Sequence, residues 1–84
     1  MSSHGTVAVG DVWRALDRCL PGYKKFEKKH NWWIYPPTAG APPFMLPLGQ
    51  HGKRVTADIQ RGHVKRMARQ FGITDCMLDQ IPGL

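Results

Sequence analysis

His30 stands in the run Lys28-Lys29-His30-Asn31-Trp32-Trp33-Ile34-Tyr35-Pro36, between a pair of cations and a pair of tryptophans. A histidine changes protonation near neutral pH, so it can take or give a proton during a reaction. Two lysines beside it disfavour a further positive charge and so favour the neutral, basic form. The same lysines can stabilise negative charge as it develops on a bound anion. The plainer reading is a surface strand histidine with no task. His51 and His63 are further imidazoles that could serve as a proton donor, and His4 reads as a spectator in the polar start of the chain.

The cations around His30 belong to a larger pattern. Residues 24–69 hold ten basic residues against Glu27 and Asp58, an excess of +8, whereas residues 1–23 balance and residues 70–84 carry −2. Clustering of this kind points to a polyanionic partner, nucleic acid first. Lys24, Lys25, Lys28 and Lys29 form one group, and Arg61, Lys65, Arg66 and Arg69 form a second. Either could instead be no more than a solvated face, and lysines on a strand also guard an open edge. One of the two tryptophans is expected in the core and the other on an open surface, where it could stack on an unpaired base or anchor a protein. Trp32 joins the candidate contacts.

The 84 residues suffice for one small domain, read here as residues 6–84 after a disordered start at 1–5. Cys19 and Cys76 form no Cys-x-x-Cys pair, so they suggest neither a zinc site nor a redox motif; they could form one disulfide, but nothing reads as secreted, and the expectation is two buried thiols in a reducing cytoplasm. The reading calls for no metal and no cofactor. No charged start leads into an apolar run, and no apolar run nears the length of a membrane span, so neither a signal peptide nor a membrane partner is expected.

The elements that must position these groups follow from periodicity. Val9, Val12, Leu16 and Leu20 recur at helical spacing, with Trp13 and Cys19 beside them. Thr6 or Gly10 could cap this helix, and Pro21-Gly22 ends it. Residues 23–29 read as an edge strand, residues 30–35 as a second strand rich in aromatic and β-branched types, and residues 44–48 as a third. Alternation sets His30, Trp32 and Ile34 on one face against Asn31, Trp33 and Tyr35 on the other, without saying which face is buried. The proline-bracketed run at 36–43 reads as a hairpin loop, and residues 49–58 as a polar connection. Val64, Met67, Ala68 and Phe71 give residues 61–71 a buried helical face, closed by Gly72, and Thr74 can cap a short last turn over 75–80. The order is helix, three-stranded antiparallel sheet, helix: an α+β sandwich with one sheet face open.

Three stretches of this frame resemble one family. Gly22-Tyr23 is a Gly-aromatic pair after the first helix. His30 and Pro36 match the histidine and later proline of a G-S-H-x-x-aromatic-x-H-P motif, with Trp33 at its aromatic position. Gln60 to Ile73 follows a closing segment of the form K-x-G-T-L-R-x-I-L-K-Q-A-G-I, matching at Gly62, Gln70, Gly72 and Ile73. The chain thereby resembles the HicA family of toxins, small mRNA interferases with a fold like the double-stranded RNA-binding domain. The likeness runs from residue 9 to about residue 80. The family's Gly-Ser before the histidine is replaced by Lys28-Lys29, which could block close approach of an RNA backbone or grip a phosphate.

The resemblance implies a metal-independent endoribonuclease with His30 as the catalytic residue. The 2′-hydroxyl of RNA would be the nucleophile, and cations would stabilise the charged phosphorane. Lys24, Lys25, Lys28, Lys29, Trp32, Arg61, Lys65, Arg66 and Arg69 are the expected RNA contacts. Expected partners are mRNA and either a cognate antitoxin, whose acidic surface would complement the basic region, or another host protein. The competing readings are a non-catalytic nucleic-acid-binding module and a protein-interaction module, of phage or plasmid origin.

Overall fold

The computed structural model describes residues 5–29, 31–47 and 58–84. Their elements run β1 (Thr6–Ala8), α1 (Val9–Cys19), β2 (Lys24–Lys28), β3 (Asn31–Tyr35), β4 (Phe44–Pro47), β5 (Asp58–Gln60), α2 (Arg61–Phe71) and α3 (Thr74–Gln80). His4, His30, His51, most of the expected disordered start and nearly all of the polar connection at 49–58 lie outside the described residues.

α1 forms where the apolar stripe is helical. Val9, Val12, Ala15 and Leu16 are buried, while Arg14, Asp17 and Arg18 stay in water. Asp11 in the first turn and Arg18 in the last suit the helix dipole. The helix closes at Leu20, whose N–H reaches the Leu16 carbonyl. Gly22 then turns the chain at φ +89°, a conformation that L side chains rarely adopt.

The start of α1 differs from expectation. Thr6 is not its cap, and Gly10 lies inside the helix. Thr6 sits in a short antiparallel ladder in which β1 pairs β5, from Thr6↔Gln60 to Ala8↔Asp58. Backbone pairing keeps the chain extended up to Ala8, which takes the cap position without a side-chain hydrogen bond. The ladder buries Val7 and Ile59.

The three-stranded sheet has the order β2-β3-β4, antiparallel throughout, with β2 at one edge as expected. Register sets Phe26 opposite Trp33 and Trp33 opposite Met45, and pairs Trp32 with Leu46 and Ile34 with Phe44. The inner face is therefore that of Trp32, Ile34, Phe44 and Leu46, and Ile34 and Leu46 are fully buried. Trp13 of α1 meets Trp32 edge-on at 5.1 Å between ring centroids. Val64, Met67 and Ala68 of α2 and Met77 of α3 complete the same core. This is the expected α+β sandwich of helix, three-stranded sheet and helices, with the helices on one face of the sheet.

Two tertiary ties follow. Gln70, at the end of α2, donates from Nε2 to the carbonyls of Pro42 and Pro43 at 3.3 and 3.2 Å, and so pins the β3–β4 loop. Cys19 and Cys76 form a disulfide, which corrects the expectation of two separate thiols. The reason is packing: α1 and α3 are neighbours, and this brings the two Cα atoms to 5.7 Å. No helix of the described residues is long and apolar enough to cross a membrane.

Candidate nucleic-acid interface

His30 falls outside the described residues, but its flanks are defined. β2 and β3 remain paired up to Lys28↔Asn31, so only two residues of sequence separate the strands. Lys29 takes φ +52°, unusual for a side chain other than glycine. Asn31 donates from Nδ2 to the Lys29 carbonyl at 3.1 Å.

Alternation along β2 separates its lysines. Lys24 pairs with Tyr35 and Lys28 with Asn31, so both stand on the outer face of the sheet. Lys25 belongs to the inner side, where its Nζ lies 5.2 Å from the Trp13 ring centroid and 5.7 Å from that of Tyr23. Both distances are within the range of cation–π attraction. Lys25 thus closes the rim of the core while its head remains exposed.

Tyr23 is half-buried beside it, and its hydroxyl is pushed up from 10 to about 12. Burial is the main cause, because the phenolate would lose hydration; the negative charge of Asp17 and its hydrogen bond to Tyr23 add to it.

The second basic group also divides. Lys65, Arg66 and Arg69 are exposed on the outer surface of α2. Arg61 is turned inward, and its guanidinium donates to the Gly83 carbonyl and, at 3.5 Å, to the Thr6 carbonyl. Its Nε is buried without a hydrogen-bond partner. Arg61 therefore ties the C-terminal segment to β1 and is placed unlike the three outward-facing cations of α2. His63 is half-buried on the same helix. Lys24 and Lys28, on the outer face of the sheet, and Lys65, Arg66 and Arg69, on the exposed surface of α2, thus stand on different surfaces of the sandwich.

Trp32, one of the expected contacts, faces the core against Trp13. The open face instead carries Trp33, Phe26, Tyr35 and Met45. Phe26, Tyr35 and Met45 are among the large apolar side chains most exposed to water. Phe26 and Tyr35 meet edge-on at 5.7 Å between centroids. Phe26, Lys28, Trp33 and Tyr35 line a shallow hollow of about 280 Å³. Alternation had offered Trp33 and Tyr35 as partners on one face, but the place of Phe26 needed the hairpin register.

No protein-family model matches the chain. Comparison with curated proteins and with solved structures likewise gives no match.

Proposed function

We propose that the chain is a HicA-like RNA-binding toxin that cuts mRNA without metal, with His30 as the proton-transfer group. One observation carries the RNA-directed part. Among the described residues, Lys24, Lys28 and Lys29 of the β2–β3 hairpin and Lys65, Arg66 and Arg69 of α2 are all exposed. The α+β order and the His30–Pro36 and Gln60–Ile73 resemblances support the family reading. In this mechanism neutral His30 takes the proton of the 2′-hydroxyl, whose oxygen attacks the adjacent phosphorus; the P–O5′ bond breaks, the 5′-oxygen takes a proton from water, and a 2′,3′-cyclic phosphate is left. Lys28 and Lys29, its sequence neighbours, stabilise the charge that builds on phosphate.

The protein acts in the cytoplasm in this reading, where an antitoxin with an acidic surface would restrain it. The experiment is incubation of a generic mRNA with the purified protein in EDTA, beside the folded His30→Ala variant. Fragments from the parent and none from the variant are expected. Equal fragmentation by both would remove His30 from the mechanism, and none by either would leave a binding module.

A further inference from the structure

We propose that the outer face of the three-stranded sheet is a stacking platform for unpaired bases of single-stranded RNA, with Lys24 and Lys28 contacting the phosphates on either side. The inference rests on the RNA-directed reading above and narrows it to one face and one kind of strand.

The face is apolar where it has no folding reason to be. Phe26 is 54% exposed, Met45 42% and Tyr35 40%, and no described element covers them. Register makes them one patch: Phe26, Trp33 and Met45 form a single rung across three strands, and Tyr35 lies diagonal to Phe26. A contiguous exposed apolar patch of this kind marks an interaction surface.

Charge then selects the occupant. Lys24 and Lys28 stand on the same face at the two ends of β2, roughly 13 Å apart along the strand at about 3.3 Å per residue. They bracket the aromatic patch, and no acidic side chain shares the face among the described residues. A chain that alternates flat rings with negative charges fits this pattern, and a single nucleic-acid strand is such a chain. In a duplex the base faces are stacked on each other and are not available. The hollow lined by Phe26, Lys28, Trp33 and Tyr35 is shallow, about 280 Å³, and two of its rings, Phe26 and Tyr35, are exposed to whatever rests on the face. The rings of Phe26 and Tyr35 stand at 76° to one another, so a base stacked on one meets the edge of the other.

The test uses a fluorescein-labelled single-stranded DNA octamer, read by anisotropy. It lacks the 2′-hydroxyl and cannot be cut by the proposed chemistry, so binding is measured apart from cleavage. Phe26→Ala and Tyr35→Ala should each weaken binding by roughly five- to 140-fold, the range for loss of one base stack. The same octamer annealed to its complement should change less than twofold. Shifts of the Phe26, Trp33 and Tyr35 ring protons on titration of the parent protein give a second reading that needs no variant. Octamer binding unchanged in both variants, with ring protons unmoved, would overturn the platform. So would binding that survives there but collapses in a Lys65→Ala, Arg66→Ala, Arg69→Ala protein, which would place the strand on α2. Cleavage of mRNA without ring-dependent binding would sink this proposal alone, and ring-dependent binding without cleavage would sink only the nuclease reading.

Discussion

Gly22 and Gly62 show how residue type and backbone together decide what a substitution does. Gly22 sits at φ +89°, and a Cβ built there would lie 3.2 Å from Cβ of Pro37. Gly22→Ala therefore meets both a disfavoured backbone and a tight contact, and should cost about 1–3 kcal/mol. Gly62 lies in the first turn of α2 with nothing within 4 Å of a Cβ. Gly62→Ala should stabilise the fold, by about 0.5 kcal/mol. Urea midpoints of the two variants should move in opposite directions, and a decrease in both would show that Gly62 has a role other than helix propensity.

Tyr23 makes a prediction in pH. Its hydroxyl rises from 10 to about 12 on folding, mainly through burial and secondarily through Asp17. The fold thus favours the protonated phenol. That contribution is fully present below about pH 10 and is lost as pH rises through about 12. In a Tyr35→Phe background the tyrosinate absorbance of the folded protein should rise near pH 12, and after denaturation in urea near pH 10. Coincident titrations in the two states would contradict the burial of this hydroxyl.

At the scale of elements, α1 and α2 were legible because each repeats its apolar positions over three turns, and the bounds of α2 match residue for residue. The β1–β5 ladder was not legible. Three residues show no periodicity, and its two strands are separated by most of the chain. The same distance hid the role of Arg61, whose backbone partners lie 22 and 55 residues away. Its spacing on α2 is that of a surface cation, and only tertiary structure turns it inward. Trp32 and Trp33 were legible as a pair on opposite faces, but the choice between them depended on which face the helices cover.

The Cys19–Cys76 bond joins α1 to α3 across 57 residues of sequence. Closing a loop of that length restricts the unfolded chain, and its removal should cost about 2–4 kcal/mol. The Cys19→Ser, Cys76→Ser protein should show a lower urea midpoint, and the parent should match it when assayed with a strong reductant. A midpoint unmoved by either treatment would show that the packing of α1 on α3 suffices without the bond. In a reducing cytoplasm the pair would tend toward the weaker, dithiol form.

At the scale of the whole molecule, two groups of exposed cations among the described residues stand on different surfaces. Lys24 and Lys28 stand outside the sheet, and Lys65, Arg66 and Arg69 outside the helix layer. A strand long enough to engage both must pass around an edge of the sandwich, whereas a short strand must choose one. If these basic surfaces serve RNA, their use is measurable as a slope. Binding of a single-stranded RNA by the His30→Ala protein, which would leave the probe intact in the proposed mechanism, should be followed across salt concentrations. The logarithm of the affinity should fall by about 0.7 per neutralised phosphate for each tenfold rise in salt. Replacing Lys24 and Lys28 with alanine should make the slope shallower by about one such step for each lysine removed. An affinity that hardly changes with salt, or an RNA that does not bind at low salt, would show that the basic surfaces do not serve RNA.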